Sequence, residues 1–256
     1  MRAKTALITG AGAGLGAAIA AKLHADSYRV AIIDANGDNA QAVAASLDGA
    51  IGLQADVTDE TQVAAALSAA EAAFGAAPDV LVNNAGIVRF GSLLDQSVAD
   101  FRRVVDVNLI GVFIVSQLVA RRMVARGSGS IVNITSINAI TPGPNAGAYP
   151  ATKAAIARLT EHFAVELGPL GVRVNCVAPG FIDGGMSAPI FADPKVRVLR
   201  GSGVPLRGLG HVDDVANAVS FLVSDAARYI NAHQLVVDGG VVANLLALLP
   251  RERPAT

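Results

Sequence analysis

Short apolar runs alternate with longer stretches of helical periodicity along the chain. Residues 4–9 form an apolar run, and Ile19 and Leu23 then repeat at helical spacing within A-A-I-A-A-K-L-H-A. Six further runs predict buried strands at residues 28–33, 51–55, 79–82, 130–135, 171–178 and 234–238. Because strands that alternate with helices indicate a parallel sheet, the pattern predicts an α/β fold. We expect a doubly wound, seven-stranded parallel sheet with helices on both faces.

Three helices are predicted in the middle and last third of the chain. The longest covers residues 101–126 and has broad apolar faces, more than one core contact requires, which indicates a subunit interface as well. Another begins at Tyr149, and a third covers residues 212–223. Earlier, a helix is expected to begin at Thr58, where a Thr or Asp cap is followed by acidic residues in the first turn.

Residues 184–206 show weak periodicity and have helix breakers at both ends, which predicts a mobile substrate lid. We call these residues the lid. Together with the segment after residue 136, the lid supplies the candidate pocket residues Met186, Ile190, Phe191, Asn138 and Ile140. Their apolar character favours an apolar alcohol or ketone. Arg89 is a candidate for an anionic substrate group, with a solvated loop arginine as the alternative.

Composition narrows the class of protein further. The 256 residues suit one domain with a single large core, and 52% hydrophobic with 16% charged residues suits a buried sheet covered by Ala-rich helices. A net charge of −1 gives no electrostatic case for nucleic acid or an anionic membrane as partner. Cys176 is the single cysteine, so no intrachain disulfide forms, and a buried thiol in a cytoplasmic protein is expected. The apolar stretches at the two ends are too short for a signal peptide or a membrane span.

The Gly-rich segment T-G-A-G-A-G-L-G, residues 9–16, joins the first strand to the first helix. Glycines let the backbone approach a pyrophosphate, and the helix N-terminus supplies free N–H groups and a partial positive charge. A turn without a ligand is the alternative. The cofactor candidates here are Thr9, Gly10, Gly14, Leu15 and Gly16. They predict a dinucleotide site in a fold of the Rossmann type.

Asp34 follows the second strand at the distance expected for an acid that accepts hydrogen bonds from the adenosine ribose hydroxyls. Its charge repels a 2′-phosphate, and neither Ala35 and Asn36 nor the Gly-rich loop supplies a basic side chain. The site therefore favours NAD over NADP. A helix-capping role for Asp34 is the alternative, and the two roles are compatible.

Tyr149 and Lys153 lie one turn apart on the predicted helix, and Ser136 ends the strand before it. Free tyrosine has a pKa of about 10, and a neighbouring ammonium together with an oxidised nicotinamide favours the phenolate. Tyr149 then takes a proton from an alcohol or gives one to a carbonyl, while Ser136 holds that oxygen. Lys153 also binds the nicotinamide ribose. The alternative is an ordinary Tyr/Lys pair on a helix surface.

The spacing of T-G-x-x-x-G-x-G, D-V, N-N-A-G and Y-x-x-x-K, continuing to D-G-G at 238–240, resembles the short-chain dehydrogenase/reductase family over nearly the whole chain. The resemblance is to its single-domain branch, so one NAD-binding domain of residues 1–256 is expected, with a C-terminal tail at 241–256. It also implies a homotetramer, with a homodimer as the alternative.

The resemblance assigns roles to further residues. Asp56 and Val57 would contact the adenine, and residues 83–86 would line the adenine ribose, with Asn83, Ala85 and Gly86 as the cofactor candidates. Asn108 would bend its helix locally and hold a water linked to the lysine. Around the nicotinamide, the resemblance implies Pro179, Gly180 and the backbone of Ile182. Three features depart from the family pattern. Pro150 follows the tyrosine, which the first helical turn tolerates, and Gly184 stands where a threonine usually anchors the nicotinamide. Before the last strand, Y-I-N-A-H-Q replaces the more usual Y-I-T-G, so that turn is altered.

These residues predict an NAD-dependent oxidoreductase that exchanges hydride with a secondary alcohol or ketone. The alternatives are a 3-oxoacyl-carrier-protein reductase and a protein that binds NAD without turnover. No metal is expected, because the four histidines are scattered and lack partners at ligand spacing.

Overall fold

A seven-stranded parallel sheet forms the centre of the computed structural model, which describes residues 3–244. All seven predicted strands are confirmed, each within one residue of the expected bounds. A separate pair of two-residue strands, β7 and β8, was not predicted. The strands are β1 (Thr5–Thr9), β2 (Arg29–Asp34), β3 (Ile51–Gln54), β4 (Val80–Asn83), β5 (Gly129–Ile134), β6 (Val172–Pro179), β7 (Ile182–Asp183), β8 (Gly210–His211) and β9 (Gln234–Val237).

Helices connect the strands and cover both faces of the sheet. The described helices are α1 (Gly14–Ala25), α2 (Gly37–Ala45), α3 (Glu60–Phe74), α4 (Val98–Val105), α5 (Gly111–Arg126), α6 (Tyr149–Leu167), α7 (Ala188–Phe191), α8 (Pro194–Ser202) and α9 (Val212–Val223). The helix expected to begin at Thr58 begins at Glu60. Asp59 is its cap, because this carboxylate accepts hydrogen bonds from the Thr61 and Gln62 N–H groups at 2.9 and 3.0 Å.

Two apolar layers hold the helices against the sheet. Neighbouring residues of a strand point to opposite faces, so Ile8 packs in the layer with α1 and α9 while Leu7 packs in the layer with α3 and α5. Both side chains are almost completely buried. Because central strands such as β1 and β4 are covered on both faces, their sequences are continuously apolar rather than alternating, which is why they were visible in the sequence.

The long predicted helix is present but begins at Val98, capped by Ser97, and contains a wider π-turn at Asp106–Ile110 between α4 and α5. By length and composition, Val98–Arg126 could cross a membrane. Half of its most apolar window is buried inside the fold, which is the behaviour of a core helix.

The lid is more regular than its weak periodicity predicted, because it contains α7 and α8. Its C-terminal end is attached to the D-G-G segment: the Leu206 N–H donates to the Gly239 carbonyl at 3.2 Å. Asn244 reaches back from the last described residues and donates to the Gly203 carbonyl at 3.0 Å. The remainder of the predicted tail, beyond Asn244, lies outside the described residues.

Candidate functional site

The predicted site residues follow the C-terminal ends of the sheet strands. The strand order β3-β2-β1-β4-β5-β6-β9 reverses direction between β1 and β4, and in such sheets the ligand crevice forms at the reversal. The Gly-rich loop follows β1, and the N-N-A-G segment follows β4. The fold therefore brings these two segments together.

The Gly-rich loop has no room for side chains at its first and third glycines. A Cβ on Gly10 would lie 2.7 Å from the Ala85 Cα, and one on Gly14 would lie 2.6 Å from the Gly185 Cα. Both residues have positive φ values, +61° and +56°. Ala13, the cap of α1, offers no side-chain acceptor, so the first N–H groups of this helix are not capped by a side chain.

Asp34 lies directly beside this loop at the end of β2. One carboxylate oxygen accepts from the Gly12 N–H and the other from the Asn36 N–H, each at 2.9 Å. The capping role of the next helix belongs instead to Asn36, whose side chain accepts from the Asn39 N–H. Next to Asp34, a surface depression is lined by Ala35, Asn36, Gly37, Asp38 and Gln54.

Thr9 connects the Gly-rich loop to the N-N-A-G segment rather than facing a crevice. It is 1% exposed, and its hydroxyl accepts from the N–H groups of Asn84 and Ala85, both at 3.1 Å. Asn84 donates in return to the Thr9 and Gly10 carbonyls at 3.1 and 2.8 Å. Asn84 lies in the segment expected to line the adenine ribose, but its contacts with the Gly-rich loop were not predicted from the sequence.

The side chain of Asn83 points into the helix layer. Its amide donates to the Ser116 hydroxyl and to the Asn133 side-chain oxygen, both at 2.8 Å, and Asn133 donates onward to Thr160 at 2.9 Å. All four residues are buried. What Asn83 can offer to the adenine ribose is therefore its backbone. The chain of polar side chains formed by Asn83, Ser116, Asn133 and Thr160 was not predicted, because each of them is an isolated polar residue in an apolar stretch of the sequence.

Asp56 and Val57 differ in what they expose. The Asp56 carboxylate accepts from the Thr58 N–H and hydroxyl and pairs with Arg103 at 3.2 Å. Burial acts to raise the pKa of this carboxyl, but the Thr58 hydrogen bonds and Arg103 outweigh it and hold the pKa below its usual value. Val57 is 7% exposed and packs into the core, close to Gly111, so its backbone is the part available to a ligand.

Asn108 lies inside the π-turn and is fully buried. Its side chain accepts from the Ile87 N–H at 2.8 Å and donates to the Ile87 carbonyl at 2.9 Å and to the Thr152 hydroxyl at 3.2 Å. A Cβ on Gly86 would lie 3.4 Å from the Asn108 Oδ1 and 3.5 Å from the Lys153 Nζ. Asn108, Gly86 and Lys153 thus surround one point. Thr152 was not singled out in the sequence, since nothing distinguishes it from other helical threonines.

Ser136, Tyr149 and Lys153 meet where β5 ends and α6 begins. The Ser136 Oγ accepts from the Asn138 N–H at 3.1 Å and forms a hydrogen bond with Tyr149. The Lys153 Nζ lies 5.5 Å from the centre of the Tyr149 ring and donates to the Ile134 carbonyl at 2.8 Å.

Burial is the main influence of the protein itself on the pKa values of this pair. Burial raises the pKa of Tyr149, and the hydrogen bond with Ser136 lowers it by less. Burial also lowers the pKa of Lys153 to about 8. The raised pKa of Tyr149 and the lowered pKa of Lys153 have the same cause, because burial disfavours the charged form of each group. The protein alone therefore favours a neutral phenol.

Pro179, Gly180 and Ile182 lie where the chain leaves β6 and turns towards the lid. A Cβ on Gly180 would lie 2.6 Å from the Asp238 Cα, so this turn packs tightly against the D-G-G segment. Ile182 begins β7, which pairs in parallel with β8. Gly184 follows with a φ of +150°, a conformation that side chains rarely adopt, so the glycine in place of threonine fits this backbone.

The pocket candidates divide by exposure. Met186, Ile190 and Ile140 are partly exposed, whereas Phe191 is 4% exposed. Asn138 uses its side-chain oxygen to accept from the Gly143 N–H at 2.8 Å, which closes the loop after Ser136. Arg89 is half-exposed, and its nearest acid is Asp100 at 3.9 Å.

No group of three or more His, Cys, Asp or Glu side chains suited to a metal ion occurs among residues 3–244. Cys176 is buried, and burial raises the pKa of its thiol to about 11.

The chain is similar to characterised proteins over nearly its whole length. A family model described as enoyl-(acyl carrier protein) reductase matches residues 10–242. Cis-4-hydroxycyclohexanecarboxylate dehydrogenase from Sinomonas cyclohexanicum is 40% identical over 245 residues, which cover 94% of this chain and 97% of that protein.

Two solved structures show the same fold. Levodione reductase superposes with a TM-score of 0.90 at 34% identity, covering 95% of this chain and 99% of the other. A 3-ketoacyl-(acyl-carrier-protein) reductase from Brucella melitensis, complexed with NADH, superposes with a TM-score of 0.87 at 33% identity, covering 94% and 99%.

Proposed function

Because the chain belongs to the short-chain dehydrogenase/reductase family, whose members are oxidoreductases that bind nicotinamide cofactors, we propose that it is an NAD-dependent alcohol dehydrogenase or carbonyl reductase. Its substrate would be a secondary, mainly apolar alcohol or ketone. The observation that supports this most is the meeting of Ser136, Tyr149 and Lys153 at the sheet edge that also holds the Gly-rich loop.

The residues present fit a dinucleotide. Gly10 and Gly14 let the loop pack tightly against Ala85 and Gly185, and the first N–H groups of α1 are free of side-chain caps and available to a pyrophosphate. Thr9 would act indirectly, by holding the loop against Ala85. When bound, NAD supplies a hydride acceptor and a positive charge close to the phenol.

Preference for NAD over NADP is proposed from the charges around Asp34. A 2′-phosphate would meet this carboxylate, and the adjoining depression adds Asp38 but neither lysine nor arginine among its lining residues. The complex of the Brucella melitensis relative with NADH is consistent with this preference.

Tyr149 would move the proton. In carbonyl reduction its neutral phenol, favoured by burial, donates to the substrate oxygen. In alcohol oxidation it must accept a proton, which requires a lower pKa than the protein alone provides. The positive charges of Lys153 and of an oxidised nicotinamide would supply that lowering.

Ser136 and Asn108 would complete the site. The Ser136 Oγ already accepts the Asn138 N–H, so its own proton is available to the substrate oxygen or to Tyr149. Lys153 would bind the nicotinamide ribose, and Asn108 would hold the Ile87 backbone and a water linked to Lys153. The apolar candidates Met186, Ile190 and Ile140 would contact the substrate.

The test is Tyr149→Phe, with Tyr229→Phe as the control because Tyr229 is 96% exposed. Tyr149→Phe should bind NADH normally, measured by quenching or enhancement of its fluorescence, and lose at least about a hundredfold in kcat because the general acid is gone. Near-normal turnover of Tyr149→Phe would contradict the assignment.

A 3-oxoacyl-carrier-protein reductase is a second candidate, supported by the Brucella melitensis relative. The Sinomonas cyclohexanicum relative supports the first candidate, since its name specifies a secondary alcohol on a ring. Comparing cyclic ketones with a 3-oxoacyl thioester, each with NADH and NADPH, separates them. NADH binding without reduction of any substrate would favour a protein that binds NAD without turnover.

We also propose a homotetramer or homodimer, assembled in the cytoplasm. Phe113 stacks on Phe163 across α5 and α6 with ring centres 6.2 Å apart, and Phe113, Ile110 and Val165 remain 40%, 43% and 71% exposed. Such apolar exposure on neighbouring helices suits a contact between subunits. Light scattering after size exclusion would measure the assembly.

A further inference from the structure

Two arginines on one face of α8 contact the short segment that leads into the lid. An NH2 group of Arg197 lies 2.5 Å from the Asp183 Oδ2, and the Arg200 guanidinium lies 4.9 Å from the centre of the Phe181 ring. Residues three apart on a helix share a face, so the two contacts are made side by side. Ile182 lies between their two partners in the chain.

Arg197 also contacts the first lid helix. Its Nε donates to the carbonyl of Phe191, the last residue of α7, at 3.4 Å. The Arg197 guanidinium thus contacts both α7 and β7. Gly184 and Gly185 lie in the turn that joins these two elements. These glycines have positive φ values of +150° and +54°, which residues with a side chain rarely adopt.

The two ends of the lid are held differently. At its C-terminal end, the backbone of Leu206 bonds to Gly239, and Asn244 bonds to the Gly203 carbonyl. In its first half, Gly185 packs close to Gly14 and Phe191 is buried, while the two arginine side chains of α8 contact β7 and the residue before it. Side chains that are half-exposed can exchange partners with water, whereas backbone pairing is harder to release.

We propose that Arg197, supported by Arg200, is a positioning residue that fixes the first half of the lid to the strand containing Ile182. It would thereby set the position of Met186 and Ile190 over the substrate. The pocket part of this inference rests on the proposed function, whereas the attachment of the lid does not.

Arg197→Met removes the ion pair and keeps an aliphatic side chain, and Lys195→Met is the matched control. Lys195 is exposed on the same helix and forms no ion pair with any residue in the range 3–244. Thermolysin is the probe of lid opening, because it cleaves beside exposed apolar residues such as Val198 and Leu199 and is not directed to arginine.

In Arg197→Met we expect cleavage within residues 184–206 to be about twofold to fivefold faster, the upper part of the range for losing an exposed ion pair. The KM for the ketone should rise by a similar factor while kcat changes less, because the reacting groups are untouched. High salt should accelerate cleavage of the wild type but not of this variant. Exchanging the charges, with Asp183→Arg and Arg197→Asp together, should restore slow cleavage.

Wild-type cleavage and wild-type KM in Arg197→Met would overturn the proposal. Faster cleavage with an unchanged KM for every substrate would overturn the positioning role. If the wild-type protein turns over no substrate, the proposed function fails, but the cleavage rates, salt dependence and charge exchange still decide whether Arg197 holds the lid.

Discussion

Lys153 donates a hydrogen bond to the carbonyl of Ile134, the last residue of β5, over 2.8 Å, while 3% of the lysine is exposed. The ammonium is thus fixed to the end of the central sheet and shielded from water. Burying a cation costs free energy, and the lowered pKa of about 8 reflects that cost. The position of Lys153 suits its proposed role in binding a ribose but is unfavourable for folding.

The variant Lys153→Met should therefore be inactive but more stable at neutral pH. A pKa of about 8 in the folded protein, against about 10.4 in the unfolded chain, corresponds to roughly 3 kcal/mol. The unsatisfied Ile134 carbonyl offsets about 1 kcal/mol of this, so we expect a net gain of about 1–2 kcal/mol in the free energy of unfolding.

The pH dependence of this difference has a defined sign. Between about pH 8 and 10.4 the unfolded chain holds the lysine proton and the folded protein does not. Lys153 therefore makes the free energy of unfolding of the wild type rise with pH in this window. The advantage of Lys153→Met should therefore shrink over this window. Denaturant unfolding of both proteins at several pH values measures it, with Lys195→Met as a surface control. An advantage that grows with pH would contradict the burial argument.

Asp34→Asn should raise the use of NADPH relative to NADH. The amide oxygen can still accept one of the two backbone N–H bonds, but the negative charge that meets a 2′-phosphate is lost. We expect the ratio of kcat/KM for NADPH to that for NADH to rise about tenfold, which corresponds to about 1.4 kcal/mol.

Asp38→Asn is the matched control for that variant, because Asp38 lines the same depression without contacting the Gly-rich loop. Its effect on the cofactor ratio should be several times smaller. A preference of the wild-type enzyme for NADPH would refute the role of the Asp34 charge. So would a ratio of kcat/KM for NADPH to that for NADH that Asp34→Asn leaves unchanged.

Asn138→Ala and Asn138→Asp should behave differently. Alanine removes the oxygen that accepts the Gly143 N–H, which loosens the loop after Ser136, whereas aspartate can still accept that bond. One such bond is worth about 0.5–1.5 kcal/mol, so Asn138→Ala should raise the KM about twofold to tenfold for an uncharged ketone. Asn138→Asp should stay closer to wild type with the same ketone. Equal KM values for the two variants would show that closing this loop is not what matters.

Cys176 should resist alkylation in the folded protein. The thiol is buried and its pKa is raised to about 11, so both access and thiolate fraction are low near neutral pH. Mass spectrometry after iodoacetamide treatment should find the native protein unmodified and the protein in concentrated guanidinium chloride fully modified. NADH binding by Cys176→Ala serves as the control that the thiol has no part in the cofactor site. Rapid native labelling would contradict the prediction.

The sheet was predictable from the sequence because both of its faces are covered. The strand containing Leu7 and Ile8 contributes to two cores, so it appears as an unbroken apolar run between breakers. The lid was less predictable, since α7 and α8 are short and their exposed apolar residues, such as Val198 and Leu199, mask the helical period.

The places of the site residues in the fold were predictable from the sequence. The partners that their side chains contact were less so. Asp34 and the glycines lie where their spacing suggested. Asn83, by contrast, turns its amide into the helix layer, because Ser116 and Asn133 offer it partners there. Buried polar partners come from different elements, so no local pattern reveals them.

The π-turn at Asp106–Ile110 divides the long helix into two stretches with different phases. A π-turn contains one residue more than a regular helical turn, so the apolar positions of α5 are out of step with those of α4. Deleting one residue there would restore a regular helix that still packs. It would also withdraw Asn108 from Ile87 and Thr152. The extra residue of the π-turn therefore serves the proposed site rather than the folding of the helix.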